Sequence, residues 1–240
     1  KDFEAYKDSF KKFLRATKGT VVANLDNPGV KEVLVLQSRI VSTIIDYSKD
    51  LIDFKLKIPG DFNILNASAV YQVGKLLNIE PEVIKRSLEN FIGTGRRFES
   101  LGKVNGAEII SDFAHHPTEL RVNFQAVRDK FPNKKIWVIF QPHMFSRTHA
   151  LFADFVKVLK QAPVDGIAVF DIFPSRELDT GLVNSKQLVE AVGDPKKVEY
   201  SSDWDKYKQG IKGYLGKDDV VLFMGAGNTD KWAKELVNNE

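Results

Sequence analysis

The chain has 240 residues, 43% of them apolar, which is enough to bury a real core in one large domain or two small ones. Lysine and arginine total 35 against 32 acidic residues, and a net charge of +3 spread along the chain excludes a large single-sign field for nucleic acid. With no cysteine there is no disulfide scaffold or thiolate metal site, and with no membrane-length apolar run or export leader the expectation is a cytoplasmic protein that does not enter a membrane.

The chain opens on Lys1 and runs straight into Phe3, Tyr6, Phe10 and Phe13 at helical spacing, which predicts an amphipathic helix and reads as a piece cut from something longer. Val21 to Leu25 predicts a buried strand, stopped by the turn signal Asn27-Pro28-Gly29. Alternation at Ile52, Phe54, Leu56 and Ile58 predicts a half-buried strand ahead of Pro59-Gly60. Ala67, Ala69, Val70, Val73 and Leu77 then give a helix with a thin apolar face suited to close packing, and Pro81 starts another on Val83, Ile84, Leu88 and Phe91.

From residue 107 the pattern becomes regular. Short β-rich runs at Glu108–Ile110, Ile136–Phe140, Ile167–Phe170 and Val220–Met224 are separated mostly by helical patterns. Alternating βα units predict an α/β fold with a doubly wound, largely parallel sheet and helices on both faces. The boundary before it falls near Gly93-Thr94-Gly95, where glycines interrupt the pattern.

The four histidines, His115, His116, His143 and His149, lie in one window, and three follow directly on predicted strands. Ligands of doubly wound sheets collect at the carboxyl ends of strands, so His115, His116 and His143 are expected to share one crevice. A lone loop histidine is usually satisfied by backbone, but two such loops on consecutive strands favour a site. No His-x-x-x-His or neighbouring carboxylate completes a zinc set, so no metal ligands are assigned. Arg96, Arg97 and Arg147 add cationic forks of the kind that match carboxylate and phosphate oxygens. Gly225-Ala226-Gly227 is only a weak dinucleotide signal, because the chain ends thirteen residues later. A phosphate loop of the form Gly-x-x-x-x-Gly-Lys-Ser/Thr is absent.

Two stretches are specific. Asp112-Phe113-Ala114-His115-His116-Pro117-Thr118-Glu119 and Phe140-Gln141-Pro142-His143-Met144-Phe145-Ser146-Arg147-Thr148 together resemble the Mur ligases. Asn24 to Pro28, Asn63 to Ala67, Gly95 to Glu99 and Gly225 to Gly227 agree in order along the chain, so the resemblance covers nearly all of it. It implies that residues 1–95 are the end of the central ATP-binding domain and 96–240 a Rossmann-like carboxy-terminal domain, the remaining amino-terminal domains with phosphate loop and main magnesium ligands lying upstream. It further implies ATP and Mg2+ as cofactors and peptidoglycan biosynthesis as the process. The branch it most resembles joins L-alanine to UDP-N-acetylmuramate through an acyl phosphate.

By the same resemblance Asn63 and Asn66 lie near the nucleotide, Arg97 contacts phosphate and Asp112 contacts nucleotide. His115, with Arg97 and Asp112, stands at the reaction centre, and His116, His143 and Arg147 belong to the wall facing the muramyl substrate. Replacing Arg97 or Asp112 is then expected to lower turnover and leave the fold intact. Ser111 stands where the family usually has Asp, and Met144 where it has Arg, which removes a cation from that wall. The segment from Ile40 to Pro59 is short for the central domain. The alternatives are a recycling ligase that attaches a whole tripeptide to the same sugar, and a non-catalytic binding lobe.

Overall fold

The structure, a computed structural model, describes residues 3–35 and 43–238. Lys1 and the start of the short segment at Ile40 lie outside the described residues. The chain divides into two units, Lys1–Ile92 and Gly93–Glu240.

In the first unit α1 (Phe3–Ala16) precedes β1 (Val21–Ala23), which pairs in parallel with β2 (Ile44–Asp46), Val21 opposite Ile44. The turn signal between them is the start of a helix. Asn27 Oδ1 accepts the N–H groups of Gly29 at 3.0 Å and Val30 at 3.2 Å and so caps α2 (Pro28–Val35), with Pro28 at the first position, where its missing N–H costs nothing. The strand expected at Ile52 to Ile58 does not form, although odd-numbered residues there are exposed and even-numbered ones half-buried. The alternation is real, but among the described residues no strand lies beside it to complete a ladder.

α3 (Asp61–Leu76) and α4 (Pro81–Asn90) pack closely where Gly74 makes room: a Cβ there would lie 2.7 Å from Ile84 Cδ1. The close approach therefore runs through the smallest residue of α3, while Val70, Val73 and Leu77 of the expected apolar face stay exposed. The aromatic stripe of α1 is exposed too, and only Leu14 of that helix is buried.

The second unit begins with a hairpin, β3 (Glu99–Val104) and β4 (Ala107–Asp112), closed by Asn105 and Gly106 with both φ positive, at 51° and 86°. There follow α5 (Pro117–Lys130), β5 (Lys135–Phe140), α6 (Phe145–Ala150), α7 (Phe152–Gln161), β6 (Gly166–Phe170), α8 (Ser185–Val192), β7 (Val198–Ser201), α9 (Trp204–Lys212), β8 (Asp219–Met224) and α10 (Thr229–Asn238). The six strands lie in the order β3-β4-β8-β5-β6-β7, parallel except for β3 against β4.

Alternate residues serve opposite faces. Ile136, Val138 and Phe140 of β5 meet Leu120, Phe124, Phe155, Leu159 and Leu188 from α5, α7 and α8. Trp137 and Ile139 meet Trp204, Ala233 and Leu236 from α9 and α10 on the other side. Burial on both faces explains why these strands read as continuous apolar runs. Each fully buried large side chain, such as Phe140 or Phe155, contributes about 2–3 kcal/mol. The sheet is thus doubly wound, and β8, the last strand in sequence, lies between β4 and β5. That order sets the loops after β4, β8, β5 and β6 side by side at the carboxyl edge.

Candidate functional site

The loop leaving β4 is organised by Asp112, whose side chain is 4% exposed. Its Oδ2 accepts the Phe98 N–H at 2.8 Å, and its Oδ1 accepts the Ala114 N–H at 2.7 Å and the Asn123 amide at 3.3 Å. Burial pushes its carboxyl up, against the pull of the Ala114 and Phe98 amides and the Arg97 charge. Its own carbonyl accepts the Gly225 N–H at 3.1 Å, tying the loop to the one after β8. The side chain predicted to contact nucleotide is thus fully engaged in holding the turn between β4 and α5 and the approach to β3.

The two histidines that follow have different tasks. His115 Nδ1 lies 2.8 Å from the Phe113 carbonyl, which can only accept, so Nδ1 carries a hydrogen, and Nε2 keeps its lone pair when the ring is neutral. His116 is the N-cap of α5: its Nδ1 accepts the Thr118 N–H at 3.2 Å, which leaves the hydrogen on Nε2 when the ring is neutral. Glu119 closes the cap by accepting the amides of His115 at 2.9 Å and His116 at 3.1 Å. Burial raises the Glu119 carboxyl, but these bonds and the neighbouring His115 and Arg97 charges bring it below the usual range.

From β5 comes Gln141, 4% exposed, whose Oε1 accepts the Asn228 N–H at 2.7 Å and whose Nε2 donates to the Asp171 carbonyl at 3.2 Å. One side chain therefore ties together the loops after β5, β8 and β6. Gly227 is obligatory beside it, since a Cβ there would sit 2.4 Å from Gln141 Oε1 and 2.6 Å from Phe173 Cγ. The Gly-x-Gly noted in the sequence is thus accounted for by close packing.

His143 stacks on Phe173, centroids 5.7 Å apart, and its ring lies 5.4 Å from that of His115. The two loops predicted to converge do so. Burial, then the His115 and Arg147 charges, lowers the His143 pKa from its ordinary 6.5 and keeps the ring neutral at pH 7. His143 Nδ1 and Arg147 Nη1 are both buried without a hydrogen-bond partner among the described residues. Met144 opens α6 with φ 74°, its N–H donating to the Phe173 carbonyl at 2.9 Å. His149, on α6, is exposed.

Arg96 and Arg97 both lie over the Phe113 ring, at 4.7 and 5.3 Å. Arg96 donates to the Gly225 carbonyl at 2.8 Å, whereas Arg97 is exposed and makes no salt bridge among the described residues. Ser111, in place of the family Asp, donates its hydroxyl to Asp230 at 2.8 Å. In the first unit Asn63 and Asn66 are three apart on α3 and share a face. Asn63 donates to the Pro59 carbonyl at 2.6 Å and keeps its oxygen, while Asn66 is exposed. Among the described residues no group of three or more His, Asp or Glu is placed to hold a metal ion.

Four residues that shape this edge were given no role by the sequence reading: Glu119 and Gln141, which lie within its two specific stretches, and Phe173 and Glu177, which it did not single out. Only Glu119 carried a local signal, as the third residue after the capping His116.

Residues 96–227 match the family model described as Mur ligase, glutamate ligase domain. A UDP-N-acetylmuramate–L-alanine ligase from Alkaliphilus metalliredigens is 34% identical over 264 aligned residues, 99% of this chain and 57% of the relative. The corresponding ligase of Caldanaerobacter subterraneus is 43% identical over 176 residues, 73% of this chain and 38% of the relative. In fold, the crystal structure of the UDP-N-acetylmuramate–alanine ligase from Thermotoga maritima matches 99% of this chain and 55% of that one, with TM-score 0.75 and 24% identity. The chain spans little more than half the length of the relative it matches from end to end. The match to the family model covers more than half of its residues, so the chain belongs to the Mur ligase family.

Proposed function

We propose that the chain is the carboxy-terminal part of a cytoplasmic, ATP-dependent, ADP-forming ligase that joins L-alanine to UDP-N-acetylmuramate in peptidoglycan biosynthesis. In this reading residues 1–95 end the ATP-binding domain and residues 96–240 close over the reaction centre. The observation that carries it is the convergence of His115 and His143, rings 5.4 Å apart, beside an Arg147 whose buried Nη1 has no partner among the described residues. Cationic and hydrogen-bonding groups gathered at the carboxyl edge suit an anionic sugar nucleotide.

ATP supplies the phosphoryl group that activates the muramyl carboxylate as an acyl phosphate. Arg97, exposed and braced on Phe113, has a guanidinium suited to phosphoryl oxygens, with no salt bridge among the described residues to break first. Asp112 shapes the loop from which His115 presents a lone pair at Nε2, the group suited to take a proton from the attacking amine of alanine. His143, held neutral, adds a polar edge without the cost of a buried charge. His116 serves the same wall indirectly, by fixing the start of α5.

For the nucleotide, the free oxygen of Asn63 and the exposed amide of Asn66 fit the donor and acceptor pattern of adenine and ribose. The described residues supply no cluster for Mg2+, whose ligands this reading assigns to the preceding part of the ligase together with the phosphate loop.

The test is a competition. Full-length protein is given ATP, Mg2+, UDP-N-acetylmuramate and equal amounts of L-alanine and of the alanine-containing tripeptide, and products are weighed by mass spectrometry. The expected product is the mono-alanyl sugar nucleotide with one ADP per ligation. A tripeptide product would mark a recycling ligase, and no product at all a binding lobe.

A further inference from the structure

The loop after β5 is held from a second direction by a side chain with no part in the roles above. Glu177, in the stretch between β6 and α8, turns its carboxylate back on the start of α6. Its Oε2 accepts the Ser146 N–H at 2.9 Å and its Oε1 accepts the Ser146 hydroxyl. The Phe145 amide adds to the same carboxylate, and these bonds, Ser146 foremost, hold its pKa below the usual range.

The stretch carrying Glu177 is itself anchored. Phe173 N–H donates to the Pro142 carbonyl at 2.8 Å, Met144 N–H donates to the Phe173 carbonyl at 2.9 Å, and the Phe173 ring stacks on His143. Met144 at φ 74° and Ser175 at φ 58° hold left-handed backbone that side chains rarely adopt, which persists only where the surroundings over-determine it.

α6 needs such support. It is six residues long, and Met144 at its N-cap makes no side-chain capping bond. An isolated helix of that length does not hold itself, yet it carries Arg147, and His143 stands two residues before its first turn. Glu177 supplies from a neighbouring loop the cap that α6 lacks in its own sequence.

We propose that Glu177 is a positioning residue: it caps α6 from the neighbouring loop after β6 and so sets where Arg147 and His143 point, without meeting the substrate itself. Its carboxylate is occupied by Ser146, which distinguishes it from a ligand group. The effect on ligation rests on the reading of this crevice as the muramyl-facing wall.

Two measurements on Glu177→Ala, Glu177→Gln and Ser146→Ala test it. In the 240-residue chain, amide hydrogen exchange at Met144, Thr148 and Phe173 is expected to quicken about tenfold or more in Glu177→Ala, with the β5 amides unchanged. Glu177→Gln keeps one carbonyl acceptor and should fall between, as should Ser146→Ala. In the full-length protein, Glu177→Ala should raise the KM for UDP-N-acetylmuramate about tenfold or more while the KM for ATP stays put, the pattern of a displaced contact. Unchanged exchange would overturn the proposal, whatever the reaction. Faster exchange with an unchanged KM would make Glu177 a structural tether only and also overturn it. A wild type that ligates nothing would instead remove the functional reading, with exchange still deciding whether Glu177 holds α6.

Discussion

Replacing Asp112 by alanine should unfold the second unit more easily, in addition to any effect on catalysis. The side chain is 4% exposed and takes N–H groups from Phe98 at 2.8 Å and Ala114 at 2.7 Å, besides the Asn123 amide at 3.3 Å. Alanine leaves two backbone donors without acceptors where water does not reach. Each such group costs about 1–3 kcal/mol, so the expected loss is about 2–6 kcal/mol. Asp112→Asn keeps one carbonyl acceptor and sheds a charge that burial already disfavours, so its loss should lie near the lower end, about 1–3 kcal/mol. All three tryptophans, Trp137, Trp204 and Trp232, lie in this unit, so urea unfolding followed by their fluorescence reads it directly. The sequence alone predicts a variant with its fold intact. If Asp112→Ala matched wild type within about 0.5 kcal/mol, the span of an ordinary surface substitution, the structural role given to the carboxylate would be wrong.

Arg97→Ala should behave oppositely: an exposed guanidinium without a salt bridge leaves melting unchanged, while turnover of the full-length protein falls about 10² to 10³-fold. Equal losses of stability in both variants would remove the contrast. Met144→Arg keeps the backbone demand of φ 74°, since both side chains are unbranched at Cβ. It should lower the KM for the anionic partner by about tenfold to a hundredfold with little change in turnover, and an unchanged KM for both UDP-N-acetylmuramate and L-alanine would show that the loop faces elsewhere. Glu119 has a folded pKa below its ordinary 4.5, so the stability it contributes is present above that pH and lost as pH falls through the folded value. The stability gap between wild type and Glu119→Gln should therefore shrink on acidification below pH 4.5, and a gap that widened would reverse the sign assigned to the cap.

Much of the second unit was legible because its strands are buried on both faces. Ile136 to Phe140 and Val220 to Met224 stand out as continuous apolar runs whatever their neighbours. The order of those strands was not legible, since nothing in either run says that β8 lies between β4 and β5. The hairpin at Asn105-Gly106 carried a strong turn signal, but the irregular register between Ser100 and Gly102 broke the alternation that would have revealed β3. Histidines and arginines could be assembled from strand ends alone, and His115 and His143 do meet. Their neighbours could not: Gln141 and Glu177 act on residues 87 and 31 positions away, and no local pattern encodes such pairs. His116 shows the opposite limit, since its neighbours in sequence reveal a cap while its position suggested a ligand.

The most direct test follows the ring signals of the four histidines in full-length protein as UDP-N-acetylmuramate is added, with binding established separately by calorimetry. Signals from His115 and His143 are expected to move together and saturate with the heat, while exposed His149 stays where it was. Saturating heat with His115 and His143 unmoved would place the muramyl nucleotide elsewhere and contradict the assignment of this crevice.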